Sequence, residues 1–120
     1  MSDAAAGKPI VLSAEDAKLV TLARAAQARS GGFEGAAVRD GDGRTYAGAA
    51  VALPSLSLTA LQFAVASAVN GGNGTIEAAA VVTGSDVLDA AGRSAVHDVS
   101  PGAPIHRASP AGDVLTTYVD

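Results

Sequence analysis

The chain has 120 residues with 8 Lys and Arg against 12 Asp and Glu, a net charge of −4, and no cysteine. That length buries one core but not two, and the acidic balance lacks the basic footprint that nucleic-acid binding needs. Four aromatics (Phe33, Tyr46, Phe63, Tyr118) leave little for base stacking, and the missing thiols exclude disulfides, thiolate-held metals and cysteine nucleophiles together.

Residues 1–10 are expected to be a flexible tail ahead of one domain over 11–120. The opening Met-Ser-Asp-Ala-Ala-Ala-Gly has Asp3 early and no apolar h-region. No apolar run reaches the ~18 residues of a membrane span, so a cytoplasmic protein with no membrane and no nucleic-acid partner is expected. Ser13, followed by Glu15 and Asp16, opens a first helix over Ser13 to Arg29. Leu19, Leu22, Ala23 and Ala26 recur at helical spacing, and Ser30-Gly31-Gly32 stops it.

"FEGAAVRD" and "RTYAGAAVA" then flank Gly41-Asp42-Gly43, a hairpin signal because Asp-Gly tolerates the positive φ of tight turns. Arg39, Asp40, Asp42 and Arg44 beside the turn are expected to face solvent, as are Glu15, Asp16, Arg24 and Arg29 on the first helix. Pro54 and Ser55 introduce a helix over residues 55–72, apolar on almost every face and closed by Gly71-Gly72. "IEAAAVVT", Ile76 to Thr83, reads as a strand buried on both faces. A third helix over Val87 to Asp98 carries Leu88, Ala91, Ala95 and Val96. "PIHRAS" and "VLTTYV" close the chain around Pro110-Ala111-Gly112. The element order is α-β-β-α-β-α-β-β, with a mixed five-stranded sheet.

"GAAVRDGDGRTYAG" at 35–48, followed by a central helix ending "AVNGG", resembles the cytidine deaminase family over about Leu19 to Tyr118. The resemblance implies a three-layer α-β-α fold. It also implies a zinc ion held by one Cys or His at the start of the central helix and by two Cys of a Pro-Cys-x-x-Cys motif, with a Glu two residues after the first ligand shuttling protons. Counted back from Gly72, the family's Cys-Ala-Glu-Arg falls on Thr59-Ala60-Leu61-Gln62. Its Pro-Cys-x-x-Cys-Arg falls on Leu88-Asp89-Ala90-Ala91-Gly92-Arg93. Its ribose-holding Asn-x-Glu falls on Ala50-Val51-Ala52, and its Phe before the hairpin glycine has Phe33 as counterpart, one residue out of register. The family's site positions are therefore held by Thr59, Leu61, Gln62, Asp89 and Gly92. Leucine moves no proton and glycine offers no ligand, so no metal and no cofactor is expected.

Other sites have plainer readings. His97 and His106 could join Asp89 or Asp98 in a two-His-one-carboxylate metal site, but each reads better as a surface or helix-end histidine. Ser57 or Thr59 could be a nucleophile with His97 as base, although an N-cap explains them as well. Asn70 to Gly74 reads as a C-cap and turn. Thr83-Gly84-Ser85-Asp86 has the strand-to-helix context in which backbone amides hold an anion, yet Asp86 suits the N-cap and repels one.

The resulting expectation is a catalytically inactive protein, an oligomeric structural or protein-interaction module. The resemblance implies a homodimer or homotetramer assembled through the central-helix region, with which the apolar run Ala60 to Val69 is consistent, and a further protein partner stays open. The alternative is a small-molecule, nucleoside-like binding protein, or a divergent deaminase or hydrolase with a rebuilt site. Its pocket would be Phe33, Ala50, Ala52, Ser55, Thr59 and Gln62.

Overall fold

The computed structural model describes residues 10–72 and 74–120. The expected tail, apart from Ile10, and Asn73 of the central turn lie outside the described residues. The helices are α1 (Ala14–Ser30), α2 (Ala60–Gly71) and α3 (Ala90–Val99). The strands are β1 (Glu34–Asp40), β2 (Thr45–Ala49), β3 (Val51–Leu53), β4 (Leu56–Leu58), β5 (Ile76–Thr83), β6 (Ile105–Ala108) and β7 (Val114–Tyr118).

Five strands form one sheet in the order β2-β1-β5-β6-β7, with β5 and β6 parallel and the other pairs antiparallel. Because side chains alternate across a strand, Ala36, Val38, Ala79, Val81 and Ile105 meet α2 and α3, while Ala37, Ala78, Ala80, Val82 and Ala108 meet α1. This is the three-layer α-β-α sandwich with a mixed sheet that the sequence implied. Both faces are covered, which is why β5 reads as an unbroken apolar run.

α1 buries Leu19, Val20, Ala23 and Ala26 along one stripe. It is capped by Ser13 Oγ, which accepts from Asp16 N, and it ends at Gly31 in the left-handed region with φ 67°. Its approach to the sheet depends on Gly35 of β1. A Cβ there would overlap the Ala23 carbonyl oxygen and come within 2.5 Å of Gln27 N, both backbone atoms of α1. On the opposite side Gly48 of β2 receives the Phe63 ring of α2.

Two expectations about charge are corrected. Asp40 is buried, not solvent-facing, because it organises the β1–β2 turn. Its Oδ1 accepts from Asp42 N and Arg44 N at 2.9 and 3.0 Å, and its Oδ2 accepts from the Tyr46 hydroxyl at 2.9 Å. Burial pushes its pKa up, but the Tyr46 hydroxyl, these two amides and the Arg44 charge outweigh it and hold the carboxyl below its ordinary value. Arg39 and Asp16 are likewise drawn inward. Arg39 reaches from β1 to Asp16 Oδ1 on α1 and to Glu77 Oε1 on β5, each at 2.8 Å.

His106, expected at the surface, is buried on the α1 side of the sheet. Its Nε2 lies 2.9 Å from Asp16 Oδ2 and its Nδ1 lies 2.8 Å from Thr117 Oγ1 of β7. Burial again opposes ionisation of Asp16, and the hydrogen bonds from His106 and Arg39 outweigh it, keeping this carboxyl below its ordinary range. The Asp16 carboxylate, an acceptor only, therefore fastens the first turn of α1 to β1 and β6.

The other differences concern helix starts. The helix expected over 55–72 begins at Ala60, since Leu56 to Leu58 instead pair with Val51 to Leu53 as a small separate hairpin. Its expected all-round cover also fails, because Ala66, Val69 and Asn70 are exposed. The third helix starts at Ala90, not Val87, and its N-cap is Asp89, not Asp86. Strand β2 ends at Ala49, short of the Ala52 that its apolar run suggested. Among the described residues no helix is long and apolar enough to cross a membrane.

Two outcomes follow. Gly35→Ala is expected to destabilise the protein by about 3 kcal/mol, because backbone must move. Gly48→Ala is expected to cost less, since the half-buried Phe63 ring can turn aside. Urea unfolding followed by circular dichroism compares the two. Asp16 and Asp40 both have folded pKa values below the reference of 3.8. Their contribution is therefore complete above the reference and is lost as pH falls through the folded values. Stability is expected to be level above about pH 5 and to drop steeply below about pH 4, with Asp16→Asn shallower in that acid limb and weaker by about 2 kcal/mol at neutral pH.

Candidate functional site

The N-termini of α2 and α3 carry the residues onto which the resemblance maps the family's site. Thr59 caps α2 in a reciprocal box. Its Oγ1 accepts from Gln62 N at 3.1 Å, and the Gln62 side chain accepts from Thr59 N at 3.0 Å. Asp89 caps α3 with both oxygens, Oδ1 accepting from Ala91 N and Oδ2 from Gly92 N at 3.1 and 3.0 Å. Leu61, in the first turn of α2, is fully buried.

The structure brings Leu61, Asp89 and Gly92 into contact. A Cβ on Gly92 would overlap Asp89 Oδ2 and lie 2.7 Å from Leu61 Cβ, so the leucine occupies the space in front of the glycine. Zinc does not fit this donor set. Gly92 has no side chain, Asp89 and Thr59 have their oxygens committed to helix amides, and Leu61 presents methyl groups where a carboxylate would be needed. His97 and His106 are also apart. His97 lies on α3, with Nε2 2.9 Å from the Ala103 carbonyl oxygen, and His106 lies across the sheet against α1. Among the described residues no three His, Cys, Asp or Glu side chains gather closely enough to hold a metal ion.

A groove of about 420 Å³ opens beside Thr59, between the start of β1 and the β3–β4 hairpin. Phe33, Ala50, Ala52 and Thr59 line it, as the sequence reading grouped them, whereas Ser55 and Gln62 do not. Ser55 sits exposed at the hairpin turn and Gln62 is held by Thr59. Ser57, weighed from the sequence as a nucleophile with Thr59 but not as part of this pocket, lines the groove too, as does Glu34, which the sequence did not single out. Ser57 reaches the groove because Leu56 to Leu58 form a strand rather than the start of a helix, and alternation along a strand gives Glu34 no distinguishing mark. Its Oε2 accepts from Thr83 Oγ1 at 2.8 Å, which fixes the carboxyl at the groove's edge. Phe33 is 65% exposed, its ring against Gly84. The groove is thus an apolar channel bordered by hydroxyls and one carboxylate.

The cytidine deaminase-like family model matches residues 12–112. No curated protein matches the sequence significantly. Among solved structures, the chain is similar to cytidine deaminase from Burkholderia pseudomallei, at 24% identity and a TM-score of 0.74, covering 90% of this chain and 93% of that one. It is also similar to cytidine deaminase from Mycobacterium leprae, at 24% identity and a TM-score of 0.64, covering 88% and 94%. At that identity the structural likeness speaks for the fold. With the family match over nearly the whole chain, it places this protein in the cytidine deaminase-like family.

Proposed function

We propose that this chain is a catalytically inactive member of its family that acts through its surfaces, as a homo-oligomeric structural or protein-interaction module. The observation that carries the reading is the contact of Leu61 with Gly92. At the positions where the fold would assemble a proton shuttle and a metal ligand, a buried leucine fills the space before a residue with no side chain. A general acid–base group contributes about 10²- to 10⁴-fold to rate and the metal-bound hydroxide is itself the nucleophile, so losing both removes the reaction.

Self-association is supported by apolar surface around α2. Val69 on its outer face and Leu53 and Leu56 on the β3–β4 hairpin are all about half exposed or more. An isolated two-stranded hairpin is marginal by itself, and cover from a second copy would steady it.

A second reading keeps the groove beside Thr59 as a binding site for a nucleoside-like small molecule, favoured by its volume and its lining of Phe33, Ala50 and Ala52.

Untagged protein is expected to carry less than about a tenth of an equivalent of zinc and to leave cytidine unchanged. Stoichiometric metal or measurable deamination would overturn the reading. Leu61→Glu is expected to restore no activity and to lower stability by about 3 kcal/mol or more, since it buries a carboxylate among apolar groups. Light scattering during size exclusion is expected to report a dimer or tetramer, which Val69→Glu or Leu56→Asp shifts toward monomer. A wild-type monomer at micromolar concentration removes the oligomer. Titration of cytidine or uridine followed by NMR decides the second reading, which stands only if Phe33 and Ala50 signals move saturably.

A further inference from the structure

Arg107, on β6, is 8% exposed and points to the α3 side of the sheet, where among the described residues no acidic side chain pairs with it. Buried guanidinium groups are ordinarily matched by a carboxylate. All of its partners here are neutral oxygens. Nε donates to the Tyr118 hydroxyl at 3.2 Å, Nη1 to the Ser85 carbonyl at 3.2 Å and Nη2 to Thr116 Oγ1 at 3.1 Å. Of the five N–H groups of a guanidinium this leaves one on each terminal nitrogen unassigned.

The partners extend the imbalance. Thr116 Oγ1 and the Tyr118 hydroxyl accept from Arg107, so their own protons point elsewhere, and no protein acceptor takes them among the described residues. Arg93 adds a second cation, its guanidinium 4.9 Å from the Tyr118 ring centre. It is itself paired with Asp120, its Nη2 3.6 Å from Oδ1 and its Nε and Nη2 both donating to the Asp120 main-chain oxygen, so the unmatched charge here is that of Arg107. Ser85, Arg93, Thr116 and Tyr118, which surround Arg107, are all half-buried, so the cluster borders solvent.

The place is therefore rich in donors and short of acceptors, with the Arg107 charge unmatched. We infer that it is a binding site for a phosphate group, free or as a monoester, held by the two spare N–H groups of Arg107 and the hydroxyls of Thr116 and Tyr118. A tetrahedral oxyanion supplies the acceptors that these four donors lack, and its negative charge answers the unmatched guanidinium of Arg107. The site lies apart from the Thr59 groove, none of whose lining residues belongs to it. The sequence offers Thr83 to Asp86 the strand-to-helix context of an anion site, but Asp86 counts against it. The structure relocates the positive charge to Arg107, which meets that loop through the Ser85 carbonyl.

The test is NMR of arginine Nε–Hε signals while inorganic phosphate is added at constant ionic strength, with methyl phosphate and acetate as parallel arms. The Arg107 signal is expected to move saturably with phosphate and methyl phosphate, half-maximally on the order of 1 mM, and at least several-fold less readily with acetate. Tyr118→Phe, which keeps the ring beneath Arg93, and Thr116→Val are each expected to weaken binding roughly threefold to tenfold. Arg107→Met is expected to abolish the phosphate-dependent rise in melting temperature without lowering the melting temperature in chloride. An Arg107 signal that ignores phosphate overturns the inference, as does one that follows acetate equally or is unchanged by both hydroxyl variants. If Arg107→Met fails to fold, the two hydroxyl variants decide by themselves.

Discussion

The structure depends on how closely its helices approach the sheet. Alanine and glycine dominate the faces in contact: Ala36, Ala37, Ala78, Ala79, Ala80 and Ala108 in the strands, and Ala23, Ala26, Ala64 and Ala68 in the helices. Small side chains bring backbones together, so dispersion contacts accumulate over backbone as well as side-chain atoms. Gly35 is the limit of that arrangement, with α1 backbone where a side chain would stand. A core built this way has little slack. It buries few large groups, and each of them, Leu19, Leu61, Val38 and Ile105 among them, fills a space shaped by many small neighbours.

Polar groups complete what packing alone leaves loose. Asp16 joins α1 to β1 and β6, and Asp40 ties its own turn to Tyr46 on β2. Each carboxylate is satisfied by several donors, which makes burial tolerable and keeps it ionised. Arg107 departs from this pattern. Its three hydrogen-bond partners are all neutral, so its charge and two of its N–H groups stay unanswered, and the proposed phosphate site rests on that difference.

The fold of the family and the chemistry of a site have separate physical requirements. The layers need small apolar residues at sheet-facing positions and caps at helix starts. Thr59 and Asp89 meet the capping need with the oxygens that might otherwise bind a metal, and Leu61 with Gly92 meets the packing need. A polar cleft emptied of its ligands would leave buried groups unpaired, whereas leucine against glycine leaves none.

Much of this was legible in the sequence. The Ser13 cap, the Gly31 stop, the Asp-Gly turn and the continuous apolar run of β5 are local signals. They depend on backbone freedom and on alternation within a few residues, so they fixed the element order and the sheet. Leu61 and Gly92 could be named as misfits for chemistry from residue type alone. Tertiary structure decided what local pattern does not encode. Leu56 to Leu58 became a strand because Val51 to Leu53 lay beside them, although the same leucines fit a helix. Arg39, Asp40 and His106 were drawn inward by partners as distant in sequence as the 90 positions between Asp16 and His106. Arg107 could be recognised as an unmatched cation only after every neighbour was in place. Burial and pairing belong to the assembled chain, and no window of sequence contains them.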